Sequence, residues 1–461
     1  MRTRAFQLAI LLLDLVVGAV AITAGNYIRF GPEILFSPNA FWVQFTGATV
    51  FALLVPPPVY YLAELYDTRA DFTRVRWLVR LAGAIVAAFL FLIALFYWFP
   101  SWKMWRAVLF YEALVYVPAL VVVRVLVSAL RNRRRPRNRA LVVGLGSRAG
   151  KVVEFLRERP ETGIQVLGCL SRGAEEGDSG AAALEPVGTC ADLTSLIQQR
   201  GVRLVIHTGF EPSDPCIAPV LEAKLHGATV LEDIEMFRQI EQRIPVDHID
   251  DVWLLVQNGF NVLRRPMWQR VQRLVDIFGA ALLLLLFSPI MLITTVAVMV
   301  SMGFPVIFRQ VRLGKGERRF NILKFRTMKR DAEESTGPIW SAGASDHRVT
   351  GLGRFLRRTR LDELPQLWNI LVGEMSFIGP RPERPEFVEE LKKEIPYYSI
   401  RFVVKPGLTG WAQVKYRYGA SVEDAREKLC YDLFYIQESS PALNLKIILR
   451  TIQTVLFHSG S

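Results

Sequence analysis

Long apolar stretches alternate with polar segments along this chain and predict where it enters a membrane. Four stretches, at roughly 6 to 27, 41 to 64, 79 to 99 and 107 to 130, reach the length of about 20 residues that a helix needs to cross a bilayer. We predict four transmembrane helices within residues 1–130. The run Pro56 to Pro58 removes backbone donors in the second stretch, so this span is expected to be kinked or divided into two half-helices.

Basic residues predict the orientation of the four spans. They precede the first span, lie between the second and third, and follow the fourth as a dense cluster. These residues are Arg2, Arg4, Arg69, Arg74 and Arg76, then Arg131, Arg133, Arg134, Arg135, Arg137 and Arg139, against Arg29, Lys103 and Arg106 on the opposite side. The positive-inside rule then places both ends of the bundle in the cytoplasm.

Residues 131–262 show strands alternating with helices. A buried-strand run, Ala140 to Val143, leads through a glycine-rich turn into the helical stretch Lys151 to Glu158. Further strand-like runs lie at Gln165 to Leu170 and Arg203 to His207. This order predicts a Rossmann-like parallel sheet.

The turn after the first strand contains Gly144, Gly146 and Gly150, which follow GxGxxxG spacing. This is close to the dinucleotide-binding fingerprint but not identical with it, and no clear acidic residue ends a second strand about 20 residues later. A bound dinucleotide such as NAD and tight strand-to-helix packing without a ligand are both open. We expect the second, so a nucleotide cofactor in this domain is not predicted.

Composition narrows the classes of partner. The chain has 56 Lys and Arg against 43 Asp and Glu, a net charge of +13 at pH 7, which suits nucleic acid, an anionic membrane surface or anionic substrates. The arginine cluster carries no interleaved aromatics for base stacking, so no nucleic acid partner is expected. The cysteines Cys169, Cys190, Cys216 and Cys430 form no CxxC pair, and we expect reduced thiols instead of a disulfide framework or a zinc site.

Two adjacent carboxylates, Asp362 and Glu363, lie among several arginines. The neighbours are Arg354, Arg357, Arg358 and Arg360. Nearby positive charge favours an ionised Asp, and the same cations could hold a diphosphate, so the pair could supply a nucleophile and a metal ligand. Upstream, Lys324 and Arg326 alternate along a predicted strand and therefore share one face, as a phosphate clamp or as solvated charge.

A further apolar stretch, Leu274 to Met302, precedes these carboxylates. If this stretch crossed the membrane once, everything after residue 303 would lie outside the cell. The basic residues around Asp362 and Glu363 would then be separated from the substrates that they are expected to bind. Ser288 and Pro289 interrupt the stretch, and a proline there bends the chain. We predict a re-entrant helix within residues 263–303, with an ordinary span or a buried core helix as alternatives. The flanking residues Arg264, Arg265, Arg270 and Arg273 would lie among anionic headgroups.

Seven motifs, in order, resemble the bacterial sugar transferases, the polyprenyl-phosphate hexose-1-phosphate transferases also called monotopic phosphoglycosyl transferases. The motifs are Gln310–Gly314, Lys324–Met328, Asp346–Thr350, Gly353–Arg357, Leu361–Gln366, Met375–Pro382 and Lys405–Trp411. The match runs from about Arg264 to the C-terminus. The layout resembles the large subfamily that initiates exopolysaccharide or O-antigen synthesis, and Trp411 to Ser421 with Tyr431 to Leu433 resembles the exosortase-linked (PEP-CTERM) branch.

The resemblance implies a two-step reaction on a UDP-sugar. Asp362 would attack the β-phosphate and expel UMP, and a polyprenyl phosphate would then take the sugar phosphate. Glu363 would hold Mg²⁺, and a rigid loop, Gly379 to Pro382, would lie near the nucleotide. The candidate phosphate-binding residues are Lys324, Arg326, Arg357 and Arg381, with Pro382 beside them. The implied partners are the UDP-sugar, polyprenyl phosphate, the membrane and polysaccharide assembly proteins, and a homodimer is compatible with this layout.

The expected fold is a membrane protein of α plus α/β class in the bacterial inner membrane. It combines a four-helix transmembrane bundle, a Rossmann-like parallel α/β domain, a re-entrant helix, and an α+β catalytic domain over residues 304–461 facing the cytoplasm. Arg360 departs from the family, which commonly has Ser there, and it would either tighten phosphate binding or point outward. Two other functions stay open: an NAD-dependent nucleotide-sugar enzyme, and a non-catalytic scaffold of polysaccharide assembly.

Overall fold

The computed structural model describes residues 2–31, 47–63, 65–66, 75–98, 106–133, 138–172, 186–211, 213–257, 260, 266–329, 348–416 and 421–457. The chain divides into two compact units, Met1–Asn138 with Glu158–Gln165, and Arg139–Arg157 with Val166–Ser461. The predicted domain boundaries after residues 130, 262 and 303 stay predictions. Some residues used in the sequence predictions lie outside the described ranges: Arg69, Arg74, Lys103, Arg134, Arg135, Arg137, Arg264, Arg265, Asp346 and His347.

The first unit is helical. Its elements are α1 (Arg2–Phe30), α2 (Gly47–Leu54), α3 (Pro56–Leu62), α4 (Val75–Trp98) and α5 (Arg106–Arg133). Within α1, α4 and α5, the windows Leu8–Arg29, Leu81–Trp98 and Phe110–Val127 are long and apolar enough to cross a membrane. The second predicted span is two short helices that meet at Val55, with Pro56 opening α3, as the proline run predicted.

One charged pair lies inside this helical unit. Arg124 of α5 donates a hydrogen bond to Asp14 of α1 at 2.6 Å, and both side chains are buried. Pairing compensates part of the desolvation that two isolated charges would suffer. Tyr60, Leu65 and Leu120 pack around it in the core.

The second unit begins with a five-stranded sheet. Its strands are β1 (Asn138–Val143), β2 (Ile164–Ser171), β3 (Pro186–Thr189), β4 (Leu204–His207) and β5 (Thr229–Glu232), in the order β3-β2-β1-β4-β5. The pairs β2–β3, β1–β4 and β4–β5 are parallel, as the sequence predicted. The accompanying helices are α6 (Ser147–Glu158), α7 (Leu193–Arg200), α8 (Ile217–Leu225), α9 (Asp233–Ile240) and α10 (Asp251–Val256).

The expectation of four reduced thiols is wrong for one pair. Cys190 and Cys216 form a disulfide with their Cα atoms 5.3 Å apart, while Cys169 and Cys430 are free and buried. Cys190 precedes α7 and Cys216 precedes α8, and these helices pack together. The fold therefore joins two cysteines whose sequence spacing carries no pairing signal.

One long helix, α11 (Pro266–Met302), follows the sheet and is long and apolar enough to cross a membrane. The predicted interruption at Ser288 and Pro289 does not end it, because the helix continues through both residues. Pro289 has no N–H for the carbonyl of Leu285, and the hydroxyl of Ser288 donates to that carbonyl at 2.7 Å instead. This replacement allows a proline inside an apolar helix.

The rest of the second unit is a small α+β assembly. The hairpin β6 (Ile307–Leu313) and β7 (Arg319–Phe325) is antiparallel and turns at Lys315–Glu317. The later elements are α12 (Gly351–Arg358), α13 (Gln366–Val372), β8 (Ser376–Ile378), α14 (Pro385–Glu394), β9 (Gly407–Thr409), α15 (Trp411–Lys415), α16 (Val422–Glu438) and α17 (Pro441–Phe457). Strands β8 and β9 pair in parallel.

The core of this assembly also includes the segment that follows α9. Ile244 and Val246 are buried with Trp411, Leu433 and Ile447, and the indole of Trp411 donates to the carbonyl of Gln242 at 2.8 Å. The catalytic region is therefore completed by residues from the predicted α/β segment. Ile447 also places one face of α17 in the core.

Candidate active site

Asp362 and Glu363 lie in a short 3-10 turn, Leu361–Glu363, between α12 and α13. Arg360 precedes the turn with a φ of 59°, in the left-handed region, so the chain reverses at this residue. Leu361 and Leu364 pack against the buried core that contains Leu356. The two carboxylates are thus carried by a turn that apolar contacts hold in place.

Cations surround the carboxylate of Glu363. Lys324 Nζ lies 3.1 Å and Arg381 NH2 3.2 Å from Glu363 Oε1, while Arg360 NH1 lies 3.9 Å from Oε2. Burial alone would raise the pKa of Glu363, but these three positive charges hold it well below the usual range. Glu363 is therefore ionised throughout the physiological pH range.

Asp362 lies in a different environment although it is the adjacent residue. It is 7% exposed, and its Oδ1 atom is buried with no hydrogen-bond partner among the described residues. Burial and the neighbouring charge of Glu363 raise the pKa of Asp362 to about 6, against the opposing charges of Lys324, Arg357 and Arg360. The sequence predicted that surrounding cations would favour the charged form, and in the structure burial outweighs them.

A buried asparagine holds the strand of Lys324 beside this turn. Asn369 of α13 accepts a hydrogen bond from the Leu323 amide at 3.1 Å and donates to the Asn321 carbonyl at 2.8 Å. Because Leu323 directly precedes Lys324, these bonds fix β7 against the helix that follows the two carboxylates. The distance between Lys324 and Glu363 is set through this contact.

The loop of Arg381 is held by its backbone. Arg401 donates to the carbonyl of Arg381 at 3.0 Å, Arg312 donates to the carbonyl of Pro382 at 3.2 Å, and the amide of Gly407 donates to the carbonyl of Pro380 at 2.9 Å. The Arg401 guanidinium also pairs with buried Asp432 at 3.0 Å. The loop predicted to be rigid is thus anchored from three directions.

Close backbone packing adds to this rigidity. A side chain at Gly379 would lie 2.3 Å from the Lys405 carbonyl oxygen, and one at Gly407 would lie 2.1 Å from the Gly379 amide nitrogen. Neither distance leaves room for a Cβ atom, so glycine is required where β8 and β9 approach each other.

Comparison with known proteins identifies the family. The model of the bacterial sugar transferase family matches residues 267–458, and that of a CoA-binding domain matches residues 62–208. A UDP-glucose:undecaprenyl-phosphate glucose-1-phosphate transferase of Klebsiella pneumoniae is 34% identical over 349 residues, which cover 72% of this chain and 71% of that protein. The chain belongs to the bacterial sugar transferase family. It is therefore an enzyme of the transferase class.

The relatives of this sugar transferase are named for more than one sugar. The UDP-glucose:undecaprenyl-phosphate glucose-1-phosphate transferase of Escherichia coli K12 is 31% identical over 76% of this chain and 74% of its own length. A UDP-N-acetylgalactosamine-undecaprenyl-phosphate N-acetylgalactosaminephosphotransferase of Aeromonas hydrophila is 41% identical over 48% of this chain, and the match spans half of that protein.

The structure separates the two cations that were predicted to share a strand face in this sugar transferase. Lys324 contacts Glu363, whereas Arg326 is 6% exposed and donates to the carbonyls of Met302 and Gly303 at the end of α11. Strand β7 ends at Phe325, so the alternation does not extend to Arg326. Its contacts hold the end of α11, and its role in phosphate binding stays a prediction.

Arg357 remains near the carboxylates. Its Nε donates to the Thr327 hydroxyl at 3.0 Å, and its charge opposes the rise in the pKa of Asp362. The Arg360 side chain is about half exposed, and its NH1 atom lies 3.9 Å from Glu363 Oε2. The two alternatives for Arg360, tighter phosphate binding and an outward orientation, stay open.

Three glycines lie in the turn after β1 and in the first part of α6. Gly144 has a φ of 118°, and a side chain there would lie 2.8 Å from the Thr208 hydroxyl. Arg172 donates to that hydroxyl at 3.0 Å and to the Gly209 carbonyl at 2.7 Å. The Gly150 amide donates to the Gly146 carbonyl within α6. These contacts show that Gly144 is closely packed, and the absence of a nucleotide cofactor stays a prediction.

Sequence reasoning missed Asn369, Arg401 and Asp432. Asn369 stands in the apolar run Leu367 to Leu371, and a polar residue in such a run is a signal of a buried hydrogen bond. Arg401 and Asp432 are 31 positions apart in sequence with no shared motif, so only the fold reveals their pairing.

Proposed function

We propose that this protein transfers a hexose-1-phosphate from a UDP-sugar to polyprenyl phosphate, with release of UMP and formation of a polyprenyl-diphosphate-sugar. The observation that carries the proposal is the buried, unpartnered Asp362 Oδ1 beside a carboxylate that Lys324 and Arg381 hold. The names of the relatives, which act on UDP-sugars and undecaprenyl phosphate, support the same reaction.

Asp362 is the nucleophile in this proposal. Its carboxylate attacks the β-phosphorus of the UDP-sugar, the bond to the bridging oxygen breaks, and UMP leaves with that oxygen. The sugar phosphate is then held as an acyl phosphate on Asp362. In the second step an oxygen of polyprenyl phosphate attacks the same phosphorus and the Asp362 carboxylate leaves. Because Oδ1 accepts no hydrogen bond within the described chain, its lone pairs are free to attack.

Glu363, the second carboxylate of the pair, is the residue that would hold Mg²⁺. Within the described residues no group of three or more His, Cys, Asp and Glu side chains is placed to bind a metal. A pair of carboxylates nevertheless fits Mg²⁺, which binds one or two carboxylates and completes its shell with waters and phosphate oxygens. Glu363 Oε2, 3.9 Å from Arg360, is the less engaged oxygen of that side chain. The bound ion would neutralise charge on the diphosphate.

Lys324 and Arg381 can each bind a phosphate group while they also contact the Glu363 carboxylate. An ammonium has three donors and a guanidinium has five, so each cation retains donors after it contacts the carboxylate. Arg381 is 43% exposed and is reachable by a soluble nucleotide sugar. Arg357 is the third phosphate-binding candidate, and Pro382 continues the anchored loop beside Arg381.

We also propose that α11 is re-entrant. A straight helix from Arg273 to Met302 would span about 44 Å, more than the hydrocarbon core of about 30 Å, and would separate its two ends by a membrane. Both ends, however, contact one assembly. Arg273 donates to the carbonyls of Ile370 and Leu371, and Met302 accepts from Arg326. Pro289, with the Ser288 bond to Leu285, is the expected bend.

Cysteine labelling tests this topology. Arg270 and Phe304 are exposed residues at opposite ends of α11, and the free native cysteines are buried. With single Arg270→Cys and Phe304→Cys variants, we expect an impermeant maleimide to label both in inside-out vesicles and neither in intact spheroplasts. Labelling of one position from each side would establish a crossing helix instead and would place residues after 303 outside.

The reaction would initiate exopolysaccharide or O-antigen synthesis from the cytoplasmic face of the bacterial inner membrane. The sugar is left open, because the relatives are named for both glucose and N-acetylgalactosamine. UMP release from a panel of UDP-sugars, with Mg²⁺ and undecaprenyl phosphate, tests the function. Turnover that requires the lipid and is absent in Asp362→Asn supports the proposal. Release that persists in Asp362→Asn would exclude the Asp362 mechanism.

A further inference from the structure

Two cationic side chains meet beside the first half of α11, at the opposite end of α13 from the Asp362 turn, and the charge of a third acts on them. The pair is Arg273 of α11 and Lys405 just before β9, and the third is Lys315 in the β6–β7 turn. The position that a side chain at Gly373 would occupy lies 3.1 Å from Arg273 NH2 and 3.4 Å from Lys405 Nζ. The guanidinium and the ammonium therefore converge on the same side of Gly373, so close that a larger residue there would disturb both.

Nearby carboxylates balance the positive charge of this cluster only in part. Lys315 and Lys405 make no hydrogen bond or ion pair within the part of the chain that the structure describes, and Arg273 donates only to the carbonyls of Ile370 and Leu371 there. Asp276 is the neighbouring carboxylate, and it accepts hydrogen bonds from Ser376 and Phe377. Burial, followed by the charges of Arg273 and Lys315, lowers the pKa of Lys405 against the opposing charge of Asp276.

Exposed apolar side chains begin immediately beside the cluster. Leu274, Val275 and Phe278 follow Arg273 along α11 and are 54%, 58% and 70% exposed. Val372, which precedes Gly373, is half exposed, as is Trp368 one turn earlier in α13. Tryptophan and basic residues at the edge of an apolar surface are typical of the headgroup level of a membrane.

We propose that Arg273 and Lys405, with Lys315, form a binding site for the phosphate of an anionic membrane lipid. A phosphate there would compensate three cations that otherwise repel one another, and guanidinium and ammonium groups are its common protein partners. The inference rests on the proposed membrane placement of α11 and not on the reaction of Asp362. It assigns to the KPG segment, Lys405 to Gly407, a role in fixing the catalytic region against the membrane.

Lipid retention by the purified full-length protein tests the site. The probe is phosphatidylglycerol titrated into detergent-solubilised protein and counted by native mass spectrometry. We expect the Lys315→Gln/Lys405→Gln variant to bind phosphatidylglycerol at least tenfold more weakly than wild type. Lys224→Gln/Lys393→Gln removes two exposed charges, one from α8 and one from α14, and is the matched control. Asp362→Asn should bind the lipid as wild type does while it loses transfer, which separates this inference from the proposed function.

Three further results would overturn the inference. Equal phosphatidylglycerol affinity in the Lys315→Gln/Lys405→Gln variant would show that the cluster does not bind the headgroup. Displacement of phosphatidylglycerol by millimolar inorganic phosphate would assign the site to free phosphate, and stoichiometric displacement by undecaprenyl phosphate would assign it to the substrate. If the double glutamine variant fails to fold, Lys405→Arg, which keeps the charge, is compared with Lys405→Gln, and only the arginine variant should retain the lipid.

Discussion

Lys324 Nζ lies 3.1 Å from Glu363 Oε1, which ties a strand residue to the second carboxylate of the Asp362–Glu363 pair. This contact leaves Asp362, the first carboxylate, without a cation in hydrogen-bond contact among the described residues. One acid is therefore held ionised by its partners, and the other is buried and unpartnered. The proposed division of roles between nucleophile and metal ligand rests on this difference.

Loss of the Lys324 charge should impair catalysis more than folding. In Lys324→Met, Glu363 keeps Arg381 but loses its closest cation, and a phosphate contact is removed. We expect kcat/KM for the UDP-sugar to fall by about 100-fold, the size of a lost charge-stabilising donor. Steady-state UMP release measures it. Lys393→Met, an exposed change on α14, should leave kcat/KM unaltered, and a Lys324→Met enzyme with wild-type kcat/KM would remove Lys324 from the site.

The first half-reaction should depend on the ionisation of Asp362. Its pKa is raised to about 6, so the nucleophilic carboxylate is present above that pH and is lost as the pH falls through it. We expect the single-turnover rate of UMP formation to rise with an apparent pKa near 6. Glu363→Gln removes a negative neighbour and should move the midpoint to lower pH, although the maximum rate falls. A profile that is flat between pH 5 and pH 8 would contradict the assignment.

Asn369 should matter for stability and for geometry. Asn369→Ala leaves the Leu323 amide and the Asn321 carbonyl without their partner, and unsatisfied buried groups cost about 1–3 kcal/mol. Thermal unfolding in detergent measures the loss. Asn321→Ala is the matched control, because its side chain is exposed and its carbonyl is retained. If both variants unfold at the wild-type temperature, Asn369 does not hold β7 in place.

Arg326 should behave differently from Lys324. Arg326→Gln removes donors from the carbonyls of Met302 and Gly303, so we expect a lower unfolding temperature but a KM for the UDP-sugar within about threefold of wild type. The comparison with Lys324→Met is made on the folded fraction of each preparation. A large rise in KM with no loss of stability would restore Arg326 as a phosphate-binding residue.

Loss of one member of the pair Arg401 and Asp432 should destabilise the protein more than removal of both charges. Arg401→Met leaves the buried Asp432 carboxylate without its cation, which costs about 3–5 kcal/mol in buried pairs. Arg401→Met/Asp432→Asn removes both charges and should recover part of that stability. Because Arg401 also holds the Arg381 carbonyl, the double variant should keep a raised KM for the UDP-sugar even where its stability recovers. Equal destabilisation of the single and double variants would contradict a buried-pair role.

Local patterns were sufficient for much of this fold. The apolar windows of α1, α4 and α5, the proline break at Val55 and the β1, β2 and β4 strands depend on periodicity and on proline geometry, which the sequence carries directly. The Asp362–Glu363 turn was also evident, because adjacent carboxylates among arginines are uncommon outside phosphate chemistry.

Long-range contacts account for what the sequence did not reveal. The prediction that Lys324 and Arg326 share one strand face was wrong because β7 ends at Phe325. The end of a strand is set by packing and not by the local pattern. The disulfide of Cys190 and Cys216 depends on the packing of α7 and α8. The raised pKa of Asp362 depends on burial, which competes with nearby cations and which charge counting along the chain does not include.

Intact-protein mass spectrometry of the covalent intermediate tests the central claim most directly. Wild-type protein is mixed with Mg²⁺ and its UDP-sugar in the absence of polyprenyl phosphate, then quenched in acid. We predict a mass increase equal to one hexose phosphate, located on Asp362 by peptide mapping and discharged when undecaprenyl phosphate is added. Transfer to the lipid by a wild-type enzyme that never carries this mass would contradict the covalent mechanism, as would an Asp362→Asn variant that acquires it.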